Sequence, residues 1–361
     1  MPDLAYLLAL HSLNKLGATK LTKLLRAYDN NAEAAWRQPE GWRNAIDLSA
    51  AQAEELLAAR RTCLVEQVYE DYLASGAGVI TLDDARYPLL LRDIYAPPPL
   101  LFFKGELPTE DDICLAMVGS RRASGYGYQV AEMLARDLAA QGLWIVSGMA
   151  RGIDGICHQH AMLSGGKTLA VLGGGLDIIY PREHTNLYHN IIKHGAVISE
   201  FPLGATPAGF NFPLRNRIIS GLSRGVLVIE AGEKSGTLLT VDHGLEQGRD
   251  IFAVPGPITS AVSRGTNRLI TQGAKLVQTA EDVWREYLDA PKPVLTAAEK
   301  EQRPQLAAEE RELLLQMSLP QHFDQLLALS GWPANKLAAL LTMWEIRGLV
   351  RQLPGKNYQR R

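Results

Sequence analysis

Short apolar runs alternate with longer amphipathic segments between residues 113 and 254, and this alternation constrains the fold more than any other feature of the sequence. Each run is four to seven residues long and lacks polar alternation, which is typical of strands buried on both faces. The runs cover residues 113–119, 143–147, 168–173, 196–200, 226–231 and 251–254, with helical segments such as 128–141 and 238–247 between them. This pattern predicts an α/β fold with a doubly wound, mainly parallel sheet, whose ligands bind beyond the carboxyl ends of the strands.

The segments before this core have a different pattern. Residues 1–75 predict helices only, at 4–16, at 21–28, and in a third segment that follows the capping box of Ser49 and Gln52 and reaches about residue 60. The turn at Leu16 and Gly17 is similar to part of a helix-hairpin-helix, which offers backbone amides to phosphates, but only one of that motif's glycines is present. A plain packing module is the alternative. Strands are expected at 79–82 and 100–104, where they would add an edge strand or a lid.

The C-terminal part of the sequence predicts a separate domain. Residues 289–305 are polar and punctuated by proline, which is typical of a linker. Helices are expected near 307–316, 322–330 and 334–346, and a hairpin-like tail follows, which is the pattern of a winged helix. We therefore expect a helical domain of SAM-like or helix-hairpin-helix-like type at 1–75, the α/β core at 76–288, the linker at 289–305 and a winged-helix domain at 306–361.

The charge balance excludes a surface that is basic throughout. The 361 residues carry 37 Lys and Arg against 39 Asp and Glu, so any anion site must be local. No apolar run approaches the roughly 18 residues of a membrane helix, and the N-terminus lacks the basic flank of a signal peptide, so we expect a cytoplasmic protein. The cysteines at 63, 114 and 157 are odd in number and far apart, which argues against a disulfide framework and a cysteine-built zinc site.

The turn after the first core strand is the clearest indication of an anion site. Glycines at a strand-to-helix turn let the backbone approach a ligand, and the helix N-terminus presents unpaired amides. Between Gly119 and Gly127, Arg121 and Arg122 add positive charge and forked hydrogen-bond donors. The glycine spacing differs from the dinucleotide fingerprint and no acidic residue closes the next strand, so the sequence does not favour NAD. Glycines that serve only close packing are the alternative, but they leave both arginines unexplained.

Similar turns follow the other strands, at 147–154, 173–177 and 230–237. In the first of them Asp154 is placed to cap a helix or to orient Arg151. Residues 212–220 put Arg215 and Arg217 in the first turns of another helix, and residues 212–224 contain no acid. Because arginine at a helix N-terminus opposes the helix dipole, an anionic ligand is the expected reason for these side chains, with solvated arginines as the alternative. Together the turns predict a groove along one sheet edge that fits an extended polyanion.

Other chemistries have less support. The Gly-Gly-Lys-Thr at 165–168 looks like the end of a Walker A loop but leads into a strand, so ATP binding is not expected. His158 and His160 are two residues apart on a helix and face different directions, which favours packing or capping over metal binding. The acids to consider for acid–base catalysis are Asp154, Glu200, Glu230 and Asp242. Each has a structural alternative, and the residue order reveals no catalytic triad, although a convergent one stays open.

An ordered series of motifs spans residues 118–275 and is similar to one known family. The motifs are Gly-Ser-Arg-Arg at 119–122, Ser-Gly-Met-Ala-Arg-Gly-Ile-Asp at 147–154, Gly-Gly-Gly-Leu-Asp-x-x-Tyr-Pro at 173–181, Ile-Ser-Glu-Phe-Pro at 198–202, Phe-Pro-x-Arg-Asn-Arg-Ile-Ile-Ser-Gly-Leu-Ser at 212–223, Lys-Ser-Gly-Thr-Leu-x-Thr at 234–240 and Val-Pro-Gly at 254–256. They resemble the DNA-processing protein A (DprA, or Smf) family. The resemblance implies an extended Rossmann-like core that forms homodimers, and a bacterial protein that binds incoming single-stranded DNA in natural transformation, protects it and helps load the recombinase RecA. We expect no cofactor and no metal.

Carried over residue by residue, the motifs give Arg121 as the strongest candidate for DNA contact. They also give Phe212, Arg215, Asn216, Arg217, Lys234, Ser235 and Thr237. The glycine-bearing turns add Gly119, Ser120, Arg122, Ser147, Gly148, Arg151, Gly152, Gly174 and Gly236. Arginines and amides hold phosphates without reading sequence, while Phe212 can stack on a base. Some relatives carry a lysine shortly before that aromatic, but Gly-Phe-Asn precedes it here, which predicts one phosphate contact fewer.

Two other functions compete with single-strand binding. Rossmann-like nucleotide phosphoribohydrolases use a similar Gly-Gly-x-Gly-Thr-x-x-Glu turn, but Thr240 stands where their glutamate would, which favours a binding protein over an enzyme. The third possibility is an adaptor whose winged helix docks a partner. Its expected recognition helix, 333–346, carries one basic residue, Lys336, among many apolar ones, so a protein contact or packing role is expected there. The five basic side chains of the last 15 residues can still touch a phosphate backbone.

Overall fold

A nine-stranded sheet forms the centre of residues 1–293 in the computed structural model of the chain. The structure describes residues 1–13, 16–287, 310, 313, 317, 321–346, 350–353 and 355–360. Residues 1–293 form one unit and residues 294–361 a second. Within the described residues, no helix is both long enough and apolar enough to cross a membrane.

The strand order of the large sheet is β1-β2-β6-β5-β4-β3-β7-β8-β9. The strands are β1 (Gly78–Thr81), β2 (Leu100–Gly105), β3 (Cys114–Val118), β4 (Trp144–Ser147), β5 (Thr168–Val171), β6 (Gly195–Ser199), β7 (Gly225–Val228), β8 (Asp250–Ala253) and β9 (Lys275–Leu276). β2 pairs antiparallel with both β1 and β6, and every other pair is parallel. The predicted doubly wound, mainly parallel sheet is confirmed: the six expected core strands are β3 to β8, with ends that agree within about three residues. The expected edge strand is β1.

Six helices precede the sheet. They are α1 (Asp3–Ser12), α2 (Ala18–Ala27), α3 (Ala32–Arg37), α4 (Trp42–Ala45), α5 (Ala50–Thr62) and α6 (Val65–Ser75). The predicted capping box is present, because Ser49 and Gln52 exchange hydrogen bonds at the start of α5. Helices α3, α4 and α6 were not predicted from the sequence. The first two are only six and four residues long, and α6 has a single buried residue, Val65, so none shows a clear apolar period.

Helices cover both faces of the sheet. They are α7 (Leu89–Arg92), α8 (Gly125–Ala140), α9 (Ile153–Leu163), α10 (Thr185–His194), α11 (Asn211–Gly221), α12 (Thr237–Glu246), α13 (Arg264–Thr271) and α14 (Ala280–Tyr287). Alternate residues of β3 face two different clusters: Leu115 and Met117 pack with residues of α8 and α9, whereas Ala116 and Val118 pack with residues of α11 and α12. This double coverage explains why the core strands are apolar at every position.

The direction of winding reverses at β3. The chain passes from β3 to β4, β5 and β6 on one side, then returns to place β7 and β8 on the other side of β3. The loops that leave the carboxyl ends of β3 and β7 therefore lead to opposite sides. In open α/β sheets a ligand crevice forms at this topological switch point.

The second unit contains a small antiparallel sheet and two described helices. These elements are β10 (Gln321–His322), α15 (Phe323–Ser330), α16 (Ala334–Ile346), β11 (Val350–Leu353) and β12 (Asn357–Arg360). β12 lies between β10 and β11, and the β11–β12 pair is the hairpin-like tail that the sequence predicted. The predicted linker at 289–305 lies outside the described residues, as does most of the helix predicted near 307–316.

Candidate nucleic-acid interface

A crevice of about 650 Å³ lies at the switch point. Most of its lining comes from three segments, which are the turn after β3, the start of α11 and the turn that leads into α12; Ala150, Asp154 and Val262 complete it. The residues that it brings together from the sequence prediction are Gly119, Ser120, Arg121, Arg122, Phe212, Arg215, Asn216, Ser235, Gly236 and Thr237. A smaller adjoining cavity brings in Gly148, Arg151 and Gly174 and shares Arg121, Phe212 and Arg215 with the crevice. Ser147 and Gly152 border these turns, and Lys234 is exposed beside Ser235.

Glu230 holds the turn after β3 in place. Its backbone oxygen accepts a hydrogen bond from Ser120 N at 2.8 Å, and its carboxylate accepts from both the amide and the hydroxyl of Ser124. Ser124 in turn caps α8 by accepting from Gly127 N at 3.1 Å. Glu230 is 1 % exposed. The hydrogen bonds of its carboxylate therefore stabilise the turn. This is a structural role, the alternative to acid–base chemistry at Glu230.

Arg121 and Arg122 extend from this turn into solvent. Neither makes a salt bridge within the part of the chain that the structure describes. The guanidinium of Arg121 lies over the ring of Phe212, with its central carbon 5.2 Å from the ring centroid. Tyr180 approaches the same ring, with the two centroids 5.7 Å apart. The mouth of the crevice therefore combines unpaired positive charge with an aromatic surface.

Arg215 is buried beneath the crevice, with 3 % exposure. Its Nη1 donates to the backbone oxygens of Gly148, at 2.8 Å, and Val171, so it ties together the loops that leave β4 and β5. Burial lowers the pKa of this guanidinium to about 10, against the opposing effect of Asp154. Gly148 must be glycine for this arrangement, because a Cβ there would lie 2.7 Å from the Arg215 guanidinium. Arg215 therefore has a structural role, and only a small part of its side chain is exposed to the cavity.

The carboxylate of Asp154 accepts hydrogen bonds from backbone amides of the loop before α9, and it does not orient Arg151. Its Oδ2 accepts from Gly148 N at 3.2 Å and from Ala150 N at 3.4 Å. Burial raises the pKa of this carboxyl, and Arg215 and the two amides oppose the shift. Arg151 instead forms an exposed salt bridge with Glu183. The sequence left two roles open for Asp154, and the structure shows neither. The N-cap of α9 is Gly152, no described side chain caps that helix, and the Asp154 carboxylate holds the loop before it.

Arg217 has a protein counter-ion. Its Nη2 lies 2.5 Å from Oε2 of Glu200, and the two side chains are 12 % and 11 % exposed. Burial raises the pKa of Glu200, and Arg217 opposes that shift. That an external anion explains the arginines of α11 stays a prediction, but Arg217 has a protein counter-ion that the prediction did not include. The sequence did not reveal the partner of Arg217, because Glu200 follows β6 and lies outside residues 212–224.

The turn before α12 docks onto the turn after β3. Thr237 Oγ1 donates to Gly119 O at 3.1 Å, and Ser235 Oγ donates to Thr237 Oγ1 at 2.9 Å. These hydroxyls build the crevice wall by joining its two loops. Thr240, at the position of the hydrolase glutamate, is 2 % exposed on α12. The crevice therefore has no carboxylate at that position.

His158 and the Gly-Gly-Lys-Thr segment at 165–168 have structural roles. His158 is fully buried, and its Nδ1 lies 2.6 Å from Thr168 Oγ1. Burial lowers the pKa of His158 to about 3. Lys167 leads into β5 and pairs with Glu106 at 2.8 Å. No cluster of three or more metal-ligating side chains occurs among the residues that were placed.

Comparison with known sequences decides the family. The sequence profile of the DNA recombination-mediator protein A family matches residues 78–288, which is more than half of the chain and contains the whole crevice. The chain belongs to this family. A DprA winged helix domain profile matches residues 297–356, so the predictions of the DprA/Smf family and of a C-terminal winged helix are confirmed.

Members of the DprA/Smf family from several bacteria are similar to this chain. A protein Smf from Synechocystis is 32 % identical over 393 aligned positions, which cover 99 % of this chain and 98 % of the relative. A DNA processing protein DprA from Bacillus subtilis is 39 % identical over 247 residues, covering 66 % of this chain and 83 % of the relative. The crystal structure of DprA from Streptococcus pneumoniae is 33 % identical and covers 80 % of this chain and all of that one, with a TM-score of 0.69.

One aromatic residue of this DprA-family site, Tyr180, was not predicted from the sequence. Tyr180 lines the smaller cavity together with Pro181 and Pro207, and contacts Phe212. The signal was present, because Tyr180 belongs to the Gly-rich motif at 173–181. That motif comes between β5 and α10, while Phe212 starts α11, so only the fold places the two rings together.

Proposed function

We propose that this protein binds single-stranded DNA in the crevice at the switch point, without sequence preference. The observation that carries the proposal is the pairing of Arg121 with Phe212: a cation that has no counter-ion among the described residues lies on an aromatic ring at the mouth of a cavity. An arginine can hold a phosphate while an aromatic ring stacks on whichever base is next to it. Duplex DNA hides its base faces, so this combination favours a single strand.

A solved relative supports the proposal. A DNA processing protein A from Helicobacter pylori, whose structure is described in terms of its single-stranded DNA binding mode, is 26 % identical and covers 59 % of this chain and 98 % of that one, with a TM-score of 0.53. The same type of ligand is therefore the simplest occupant here.

The candidate residues divide into three roles under this proposal. Direct contacts with phosphate, sugar or base are assigned to Arg121, Arg122, Phe212, Asn216 and Lys234. Backbone amides and hydroxyls of the turns are assigned to Gly119, Ser120, Ser147, Gly148, Gly152, Gly174, Ser235, Gly236 and Thr237. Arg215 and Arg217 are positioning residues, since both are buried against protein oxygens. Arg151 contributes only when its exposed salt bridge opens.

We further propose the biological setting that the family resemblance implies. The protein protects incoming DNA in the bacterial cytoplasm during natural transformation, acts as a homodimer and helps load RecA. Residues 1–75 and 306–361 serve as accessory domains around the core at 76–288, with 289–305 as the linker. The core itself acts as a binding module and performs no catalysis.

One binding experiment tests the proposed function. Fluorescence anisotropy of labelled oligo-dT, of an arbitrary mixed sequence and of a matched duplex is measured at two salt concentrations. We expect equal affinity for both single strands, weaker binding of duplex, and an affinity that falls with salt by a slope of about −0.7 for each phosphate contacted. Equal affinity for duplex, or no dependence on salt, overturns the proposal. Release of free base from nucleoside monophosphates would instead establish the phosphoribohydrolase alternative.

A further inference from the structure

A second groove, of about 850 Å³, begins at Arg121 and Arg122 in the turn after β3 and continues between α9 and α10. One wall is the face of α9 from Gly155 to Leu163, and the opposite wall is the face of α10 from Asn186 to His194. Arg121 and Arg122 line this groove as well as the switch-point crevice. The two cavities therefore meet at these arginines, and a chain-like ligand can pass from one into the other.

The groove presents amide side chains with unused hydrogen-bonding capacity. Asn186 and Asn190 are one turn apart on α10, Gln159 lines the other wall from α9, and all three are exposed. None of these side chains hydrogen-bonds to any residue that the structure describes. Carboxamides of this kind donate to phosphate and sugar oxygens without distinguishing one base from another.

The charges along the groove favour an anion. Its acidic lining residue is Glu183, whose carboxylate is already held by Arg151. Arg121 and Arg122 bring positive charge at one end, and His194 lines the other end, next to the exposed Lys193 in the last turn of α10. A polyanion lying along the groove would therefore meet positive charge at the arginine end and neutral donors beyond it.

We propose that this groove holds the continuation of the single strand that leaves the switch-point crevice, with Gln159, Asn186 and Asn190 as its sequence-neutral contacts. The proposal rests on the proposed function. Tyr128, 47 % exposed on a further wall of the groove, supplies a stacking surface. The nine residues from Asn186 to His194 extend about 12 Å along α10, at a rise of about 1.5 Å per residue. That length leaves room for a few nucleotides of an extended strand.

The test compares a short and a long oligo-dT on the full chain by fluorescence anisotropy. An oligonucleotide of about four nucleotides is too short to fill both cavities and should bind in the crevice, where the arginine and the aromatic ring lie, whereas one of about sixteen can also follow the groove. Asn190→Asp places a negative charge in the groove and should weaken binding of the long strand about fivefold, with no change for the short one. Asn190→Arg should strengthen binding of the long strand by a similar factor. Asn44→Asp, on an exposed residue of α4 that lines neither cavity, is the matched control for net charge.

Each outcome bears on a different part of the argument. If Asn190→Asp and Asn190→Arg leave both affinities unchanged, the strand does not follow the groove and the inference is overturned; a protein partner seated there would give that result. If Asn190→Asp weakens both strands equally, the residue acts at the crevice, which also overturns the groove path. If the unmodified protein binds neither oligonucleotide, the proposed function itself fails. Thermal unfolding of every variant checks that the fold is intact.

Discussion

Arg121 and Phe212 form a cation–π pair at the mouth of the crevice, with the guanidinium carbon 5.2 Å from the ring centroid. The same ring is approached by the buried Arg215, whose guanidinium carbon lies 5.8 Å from the centroid. One aromatic side chain thus contacts a cation that is open to solvent and a cation that is committed to backbone oxygens. Phe212 therefore connects Arg121, the proposed phosphate contact, to the buried Arg215, which is fixed to the backbone at the sheet edge.

Replacing Arg121 with alanine should weaken binding of oligo-dT about tenfold, equivalent to about 1.4 kcal/mol of binding free energy. The loss of one phosphate contact should also reduce the salt slope by about 0.7. Arg121→Lys keeps the charge and should retain the salt slope while losing part of the affinity. Anisotropy titrations at several salt concentrations measure both quantities. Arg136→Ala, at an exposed arginine paired with Asp137 on α8, is the matched control; an equal loss there would show that only net charge matters.

The Arg217–Glu200 pair should be essential for stability as a pair. Arg217→Met leaves the Glu200 carboxylate buried without its counter-ion and should lower the free energy of unfolding by about 3–5 kcal/mol. The double change Arg217→Met with Glu200→Leu removes both charges and should recover most of that loss. Denaturant unfolding of the three proteins measures the difference.

An exposed ion pair provides the comparison for this prediction. Arg285 and Glu281 lie one turn apart on α14, with exposures of 69 % and 64 %. Arg285→Ala should cost less than about 1 kcal/mol, because water already screens the pair. If Arg217→Met is as mild as Arg285→Ala, the buried pair is not a structural requirement.

The central sheet could be predicted from sequence because its strands are buried on both faces. A run such as Leu115 to Val118 has no polar position to obscure it, and each run ends at a glycine-bearing turn. The expected binding edge followed from the same pattern, since parallel strands bring their carboxyl ends together. Arg121 was found for this reason: it stands directly after β3 and before the cap of α8.

Contacts between elements distant in sequence could not be predicted in the same way. The salt bridge of Arg217 with Glu200 joins α11 to the end of β6, and the contact of Phe212 with Tyr180 joins α11 to a loop after β5. The sequence supplies these residues but not their pairing, which depends on how the helices cross the sheet. The groove between α9 and α10 likewise arises from packing, because its walls come from two helices separated by β5.

The fully buried His158 and the half-buried His11 should make the fold sensitive to mild acid. Burial lowers the pKa of His11 to about 4 and that of His158 to about 3, from an ordinary value of 6.5. Since the folded-state pKa is depressed, the stability that each neutral ring contributes is complete above pH 6.5 and is lost as the pH falls towards 4 and 3. Each histidine should therefore cost about 2 kcal/mol of stability between pH 7 and pH 5.

Urea unfolding of the unmodified protein and of His158→Gln at both pH values tests this expectation. The variant should lose about 2 kcal/mol less than the unmodified protein on acidification, whatever its stability at pH 7. His189→Gln, at an exposed position of α10, is the control and should retain the full loss. An identical acid-induced loss in His158→Gln and the unmodified protein would contradict the assignment.

Gly148→Ala should disturb the floor of the crevice through Arg215. The added Cβ would lie 2.7 Å from the Arg215 guanidinium, which donates to Gly148 O at 2.8 Å and cannot move away without leaving a buried charge unsatisfied. We expect the free energy of unfolding to fall by about 1–3 kcal/mol. Oligo-dT affinity should fall as well, because Arg215 supports the ring of Phe212. Gly209→Ala is the matched control: Gly209 lines the same crevice, but its added Cβ would meet no atom within 4 Å. Unchanged stability in both variants would mean that Arg215 is not fixed by its two carbonyl contacts, and the rigid attachment of Phe212 would have to be abandoned.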